Sequence, residues 1–105
     1  MTGKILVLTT AGSEGEAHSI AHALVELRLA ACVNIIPRVS SVYQWQGEIE
    51  KSEEWLLVVK TTSGAFERVR EAIEKLHSYE LPECVCVAIE DGSPEYLQWI
   101  AESVK

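Results

Sequence analysis

The sequence lacks the features that mark nucleic-acid-binding and membrane proteins. It contains no cluster of Lys and Arg, and its 9 basic residues face 16 acidic ones, which gives a formal net charge of −7. A negative chain without a basic patch repels phosphate backbones and anionic lipids. We therefore expect no nucleic acid and no membrane among its partners, whereas metal cations, small ligands and protein surfaces fit this charge.

Long apolar runs and an even set of cysteines are also missing. The run over residues 5–8 is too short for a signal sequence, and no other run could span a bilayer. Three cysteines, an odd number, indicate reduced thiols rather than a disulfide framework. The sequence therefore predicts a cytoplasmic location, and its length predicts a single domain over residues 1–105.

Apolar residues, by contrast, are plentiful. They make up 48% of the chain, which is near the top of the range for globular proteins. A small monomer surrounded by water does not need this much apolar surface. Part of it is therefore expected to face another subunit.

Hydrophobic periodicity predicts four strands. They are expected over residues 5–10, 32–46, 49–61 and 84–89. Pro37 cannot donate a ladder hydrogen bond, so the second strand should bend or bulge there. The continuous apolar stretch 55–59 is expected to be buried on both faces, and the last strand is expected to be buried as well.

Three helices are predicted between and after these strands. The first should begin at the Ser13 cap, which has capping-box spacing to Glu16, and should continue to Ala31. The second should follow a cap at Thr62 and Ser63. The third should begin with Ser93 and Pro94. Strands and helices in this order, with right-handed crossovers, predict an α+β, ferredoxin-like two-layer sandwich, βαββαβ plus a C-terminal helix.

The two central strands are predicted to form an unusually long hairpin. Each arm could run to about a dozen residues, roughly twice the usual length. Its outer part carries apolar and aromatic side chains that the core cannot cover, namely Val42, Tyr43, Trp45 and Ile49. Such a surface favours association, and copies that associate head to tail must close into a ring or polymerise. We expect a closed ring of three copies, a homotrimer.

Six short motifs occur along nearly the whole chain. They are Ala30-Ala31-Cys32-Val33-Asn34, Ser41-x-Tyr43-x-Trp45-x-Gly47, Glu53-Glu54, Lys60-Thr61-Thr62, His77-x-Tyr79-Glu80-x-Pro82-Glu83 and Asp91-Gly92-x-x-x-Tyr96-Leu97-x-Trp99-Ile100. In order and spacing they resemble the CutA divalent-cation-tolerance family. The resemblance implies a homotrimer that is similar in architecture to the PII signalling proteins. It also implies a role in tolerance to copper and other divalent cations, and no established chemical reaction.

The resemblance further implies a copper site, of which only part is present here. In the family, a Cys that closes the first strand and a His pair before a Pro-Tyr are proposed copper ligands. This chain has Thr9 at the Cys position, Leu76 at the first His position and Ser78 in place of the Pro. His77 is the one ligand of that set that remains, and it is a candidate for copper or another divalent cation.

A second candidate metal site lies on the first helix. His18 and His22 are four residues apart, and Glu14 and Glu26 extend the row. That spacing places all four on one helical face, where two imidazoles can hold a borderline divalent ion. The alternative is a solvated polar face.

The cysteines are weaker candidates. Cys84 and Cys86 alternate along a predicted strand, so their thiols would share a face that could hold Cu(I). Free cysteines are more often small buried hydrophobes, and we favour that role for both. Cys32, at the start of a strand, is expected to be packed as well.

Polar and aromatic residues at loop and strand ends form the last candidate site. They are Tyr43, Trp45, Glu54, Lys60, His77 and Tyr79. If the hairpin of one subunit reaches its neighbour, these residues could line an inter-subunit cleft that binds a metal or a small ligand. The alternative is a polar network that fixes the register of the trimer. A buried Lys60 would need a carboxylate, so Glu54 or Glu80 is expected close to it.

No catalytic constellation is recognised, and two other functions of this fold do not fit. An acylphosphatase-like enzyme needs an Arg in the loop after the first strand, and residues 11–16 contain none. An RNA-recognition domain stacks bases on aromatic side chains of its central strands, and residues 5–10 contain none. The remaining hypotheses are a trimer that responds to divalent metal ions and a PII-like signalling or protein-interaction trimer without a metal-binding role.

Overall fold

The computed structural model describes residues 1–105. The strands and helices follow the predicted order: β1 Lys4–Ala11, α1 Glu14–Glu26, β2 Cys32–Trp45, β3 Glu48–Thr62, α2 Phe66–Leu76, β4 Val85–Ala88 and α3 Pro94–Ser103. The sheet has the order β2-β3-β1-β4, and all three neighbouring pairs are antiparallel. The predicted mixed α+β fold is confirmed. None of the helices combines the length and apolarity that a bilayer crossing requires.

The core lies between the helices and one face of the sheet. Because side chains alternate along a strand, Leu57 and Val59 point to this face and have no exposed surface. Leu56 and Val58 point to the opposite face and are only partly buried. The prediction that residues 55–59 are buried on both faces is therefore wrong for the single chain.

The opposite face of the sheet remains apolar and open at its β4 end. Val85 and Val87 are 48% and 44% exposed, and all four residues of β4 are exposed. The prediction of a buried last strand is therefore wrong for the single chain. The reason is that a two-layer fold covers only one face of its sheet, so an apolar edge strand stays exposed unless another chain covers it.

The hairpin is as long as predicted, with arms of 14 and 15 residues. Its two-residue turn has φ values of 52° at Gln46 and 83° at Gly47. Positive φ at both central residues is typical of the type I′ turn, whose twist matches that of the strands. The hairpin therefore continues as a regular ladder to its tip.

The irregularity expected at Pro37 is confirmed. The register between β2 and β3 shifts between Ile36 and Val39, and Arg38 adopts a left-handed φ of 60°. A bulge bends the strand and increases its twist. It divides the hairpin into a part that belongs to the core and a part that projects beyond it.

Helix α1 ends earlier than predicted. The expected continuation to Ala31 is wrong, because the helix ends at Glu26 and Arg28 adopts a left-handed φ of 58°. Beyond it, the Leu29 N–H donates to the Leu24 carbonyl at 2.9 Å, which closes the helix in a Schellman arrangement. The periodic apolar residues after the helix are therefore part of a loop.

Arg28 also fastens the end of the chain. Its side chain donates to the carbonyls of Glu102 at 2.9 Å and Ser103 at 3.3 Å, which are acceptors at the end of α3. The Lys105 N–H donates to the Arg28 carbonyl at 2.9 Å. One residue thus links the C-terminal end of α1 to that of α3.

The other helix starts differ in how well they were predicted. Ser93 is the N-cap residue of α3 and Pro94 its first residue, as expected. The expected cap by Thr62 and Ser63 is wrong, since Ser63–Ala65 form a 3-10 turn before α2 and no side chain caps it. A 3-10 turn satisfies backbone groups at a helix end without a capping side chain.

Candidate functional site

A hydrogen bond between Tyr79 and Glu54 joins the loop after α2 to the middle of β3. The Tyr79 hydroxyl donates to Glu54 Oε2 at 2.7 Å, and Glu54 is only 6% exposed. Desolvation of the phenol, the hydrogen bond to Glu54 and nearby negative charge raise the pKa of Tyr79 well above its usual range. The phenol therefore stays protonated and donates a hydrogen bond to the carboxylate.

His77 anchors the same loop to β1. Its Nε2 lies 2.6 Å from the Thr10 carbonyl oxygen, and its Nδ1 accepts from the Tyr79 N–H at 3.1 Å. These two partners assign a neutral ring with its proton on Nε2. The ring centroids of His77 and Tyr79 are 4.6 Å apart. His77 is 9% exposed, so it acts as a buried anchor in the single chain.

Glu16 fastens the loop to the start of α1. Ser13 caps this helix by accepting a hydrogen bond from the Glu16 N–H at 3.1 Å, as the capping-box spacing predicts. The Glu16 carboxylate, however, accepts from the Ser78 N–H at 2.8 Å. Partial burial raises the pKa of Glu16, but hydrogen bonds from Ser78 and from the Gly12 backbone outweigh it and hold the pKa below its usual 4.5.

A groove of about 610 Å³ opens beside the Tyr79–Glu54 pair. It lies between the projecting part of the hairpin and the loop after α2. Its lining combines aromatic and acidic side chains, including Tyr43, Trp45, Glu54, Tyr79, Glu80 and Glu83. The groove therefore favours a ligand that carries positive charge and offers a flat or apolar surface.

The hairpin side of the groove is formed by exposed aromatic side chains. Tyr43 and Trp45 are 43% and 41% exposed. The Tyr43 hydroxyl accepts a hydrogen bond from Ser52 across the hairpin at 3.4 Å. Two aromatic rings are thus available for contact with a ligand or with another chain.

Four of the six residues of the predicted cleft, Tyr43, Trp45, Glu54 and Tyr79, line this groove, and His77 packs against Tyr79. Lys60 is the exception, because it follows Glu54 by six residues on β3, about 20 Å along an extended strand. Its Nζ lies 5.6 Å from the ring centroid of Tyr96, a cation–π contact. The ion pairs of the chain involve Arg70 on α2 and not Lys60. The prediction that Glu54 or Glu80 pairs with Lys60 is therefore wrong within one chain.

Sequence reasoning missed three members of the site: Thr10, Gly12 and Glu16. Thr10 contributes a backbone carbonyl, for which no side-chain pattern could give a signal. Gly12 gives the Tyr79 ring room, since a Cβ there would meet the phenol. The capping-box spacing did identify Glu16, but not that its carboxylate binds the loop 62 residues later.

The copper ligands implied by the resemblance do not form a metal site in this chain. Thr9 is fully buried in the core, and its hydroxyl has no hydrogen-bond partner. Leu76 offers no donor atom, and both ring nitrogens of His77 already have partners. A metal at His77 would have to replace one of these two bonds.

The histidines of α1 are placed differently. His18 and His22 are both exposed and line a shallow groove of about 470 Å³ between α1 and β2, together with Asn34. No three His, Cys, Asp or Glu side chains of the chain form a group that could hold a metal ion. Any metal held here therefore has two imidazole ligands and completes its shell from solvent.

The three cysteines are free thiols in different settings. Cys84 packs against the core, and desolvation raises the pKa of its thiol. Cys32 is partly exposed. Cys86 is exposed, so the expectation that it is packed is wrong for the single chain. The cause is again the open edge formed by β4.

Sequence and structure comparisons agree on the relatives of this chain. The profile described as "CutA1 divalent ion tolerance protein" matches residues 5–103. The "Divalent-cation tolerance protein CutA" of Thermus thermophilus is 51% identical over 98 residues, which are 93% of this chain and 95% of that protein. The chain belongs to the CutA1 divalent ion tolerance family. The CutA1 family is named for tolerance to divalent ions and not for a chemical reaction.

Solved CutA structures have the same fold. The divalent cation tolerance protein Cut A1 from Thermus thermophilus superposes with a TM-score of 0.95 at 49% identity, covering 97% of this chain and 99% of that one. The "Periplasmic divalent cation tolerance protein CutA" from Archaeoglobus fulgidus gives 0.94 at 42% identity, with 97% and 99% covered. Among the sequence relatives, the Danio rerio "Protein CutA homolog" is 43% identical over 94% of this chain. The match spans 66% of that protein.

Proposed function

We propose that this CutA1 protein acts as a homotrimer in the response to divalent metal ions, and that its groove binds a cationic ligand. The observation that carries the proposal is the buried Glu54 carboxylate, held by Tyr79 at the wall of an aromatic groove. A buried carboxylate is costly unless a partner or a ligand repays its desolvation. The hydrogen bond from neutral Tyr79 leaves the negative charge in place for a bound cation.

Assembly is supported by two apolar surfaces that one chain leaves uncovered. The first is the open end of the sheet at Val85 and Val87. The second is the projecting part of the hairpin, where Val42 and Ile49 are 67% and 75% exposed. Apolar surface at separate places on one molecule suits a heterologous contact, which forms a closed ring when the rotation permits. In a PII-like trimer, the hairpin of one subunit would border the groove of the next.

Copper or another divalent cation is one candidate ligand of this groove. The carboxylates of Glu54, Glu80 and Glu83 attract it by charge but do not converge as a three-ligand set, and both His77 nitrogens are occupied. A small organic cation fits the same lining, since its charge meets carboxylates and its body meets Tyr43 and Trp45. Both ligands share positive charge, and the experiment below distinguishes them.

A PII-like signalling or protein-interaction trimer without metal binding is the second candidate function. It is favoured by the exposed aromatic residues Tyr43 and Trp45, which suit a partner surface as well as a ligand. We also propose a cytoplasmic location, supported by three free thiols. Fractionation of the source cells tests the location, since a relative from Archaeoglobus fulgidus is named periplasmic.

Native mass spectrometry of the purified protein tests both parts of the proposal. The expected result is a trimer that gains mass when Cu²⁺ or an organic cation such as spermidine is added. Glu54→Gln should abolish the gain from spermidine and reduce the gain from Cu²⁺, whereas Glu53→Gln, which changes an exposed carboxylate at the neighbouring position, should do neither. A monomeric spectrum would contradict the assembly. Equal binding by the two variants would contradict the groove as the ligand site, whatever the assembly.

A further inference from the structure

The two histidines of α1 occupy a position that the fold does not use. His18 and His22 lie one turn apart, where side chains have Cβ atoms about 5–6 Å from each other. Both are exposed, whereas His77 is buried and bonded through both ring nitrogens. The rings of the α1 pair are therefore free to bind a ligand without loss of a structural contact.

We propose that His18 and His22 form a chelating site for a borderline divalent transition-metal ion on the outside of α1. Histidines at positions i and i+4 of a helix present two imidazole nitrogens to one metal, as in helical zinc motifs. Imidazole nitrogen suits Zn²⁺, Ni²⁺ and Cu²⁺, and affinity follows the Irving–Williams order, with Cu²⁺ bound most tightly. Water completes the coordination, because no third metal-binding side chain joins the pair.

The surroundings of the pair favour a cation. Glu14 and Glu26 lie one turn before and one turn after the two histidines on α1. No basic residue of α1 opposes them, and the chain as a whole carries a formal net charge of −7. Carboxylates near a metal site raise the local concentration of cations even where they do not coordinate. The β2 wall of the groove is mainly apolar, with Val33 and Ile35 beside Asn34, and brings no opposing charge to the site.

This site is separate from the groove proposed above. The pair lies between α1 and β2, and it needs neither the trimer nor the Tyr79–Glu54 pair. It differs from the family's proposed copper ligands, since it uses neither Thr9 nor His77. The chain would thus hold metal through residues that its family resemblance does not assign.

A titration of the whole protein with Ni²⁺ alone tests the site. Calorimetry measures the affinity, and the NMR signals of the histidine rings show which rings bind. Ni²⁺ prefers imidazole and avoids the redox chemistry of Cu²⁺ with free thiols. We expect the ring signals of His18 and His22 to shift together or broaden, while those of His77 stay unchanged. His18→Gln and His22→Gln should each weaken binding about tenfold or more, because either change removes the chelate.

A spacing variant provides the matched control. His22→Val combined with Val25→His keeps the composition but separates the two histidines by seven residues, about 10.5 Å along the helix axis. Val25 is 43% exposed, so the helix should fold as before. Chelation predicts that this variant binds as weakly as His22→Gln.

Three outcomes would overturn the proposal. They are no detectable Ni²⁺ binding by the wild-type protein, unchanged affinity in either single variant, and full affinity in the spacing variant. Glu54→Gln is expected to leave Ni²⁺ binding at α1 unchanged. The α1 site is therefore tested by the histidine variants and the groove by Glu54→Gln, so either proposal can fail without the other.

Discussion

A methyl group on the Cα of Gly12 would lie 2.9 Å from the phenolic oxygen of Tyr79. This close approach lets the Tyr79 hydroxyl reach Glu54 from the loop after α2, across the end of β1. The glycine after the first strand is therefore part of the site although it contributes no donor or acceptor side chain.

Gly12→Ala should displace the Tyr79 ring and lengthen its bond to Glu54. We expect a loss of about 1–2 kcal/mol in the free energy of unfolding, in the range of a weakened hydrogen bond to a charged group. Gly15→Ala is the control, because nothing lies within 4 Å of the added Cβ and Ala favours a helix. Urea unfolding should show the first variant less stable and the second at least as stable as wild type. Equal stability of all three would show that the loop adapts without cost.

Tyr79→Phe should destabilise the protein, because it leaves the buried Glu54 carboxylate without its donor. We expect a loss of about 1–3 kcal/mol at neutral pH. The raised pKa of Tyr79 makes its contribution complete below the usual value of 10.0 and progressively lost as the pH rises above it. The stability difference between wild type and variant should therefore shrink in alkaline solution.

Urea unfolding of the two proteins at neutral pH and above pH 10.0 measures this difference. Tyr96→Phe serves as the control, because the ring of Tyr96 contacts Lys60 and Trp99 and its hydroxyl binds no protein group. At neutral pH its free energy of unfolding should stay close to that of wild type. A Tyr79→Phe difference that stays constant through this range would argue against a stabilising phenol–carboxylate bond.

Thr9→Val should stabilise the protein. Thr9 is fully buried, and its hydroxyl has no partner, so an apolar group of the same shape removes an unsatisfied donor. We expect a gain of about 1 kcal/mol in the free energy of unfolding. Thr61→Val is the matched control, because the equally buried Thr61 hydroxyl donates to the Leu29 carbonyl at 2.6 Å.

The free energy of unfolding, measured by heat or urea, should thus rise for Thr9→Val and fall for Thr61→Val. The Thr61 variant leaves a backbone carbonyl unpaired and should lose about 1 kcal/mol or more. Destabilisation of both variants to the same extent would mean that the Thr9 hydroxyl has a partner in the assembled protein.

Trp45→Ala tests the hairpin as an assembly surface. A buried interface tryptophan commonly contributes about 2 kcal/mol or more, so the variant should dissociate at concentrations where wild type keeps the proposed trimer. Leu27→Ala, a change at an exposed position on the far end of α1, should leave assembly unchanged. Sedimentation equilibrium separates the two results. A variant that assembles like wild type would remove Trp45 from the interface.

The strands and their order were predictable because hydrophobic periodicity acts locally. The bulge beside Pro37 was predictable for the same reason, since a missing N–H interrupts any ladder. The end of α1 was not, because the left-handed turn falls on Arg28 rather than on a glycine or asparagine. A residue with a Cβ gives no signal for that conformation, and only the surrounding contacts stabilise it.

The candidate site was predictable as a set of residue types but not as a geometry. Tyr79 and Glu54 are separated by 25 residues in sequence, so no spacing relates them. Lys60 was misplaced because it shares a strand with Glu54, and strand length carries the two apart. The exposure of β4 could not be inferred either, because its apolar sequence fits burial by a helix and burial by another chain equally well.

The two roles of Arg28 have a consequence for how the chain opens. Its backbone conformation closes α1, while its guanidinium and carbonyl hold residues 102–105. Fraying of the C-terminal end of α1 would therefore release the end of α3 in the same step. Amide protons from both helix ends should exchange with solvent with one common opening free energy, as a single cooperative unit.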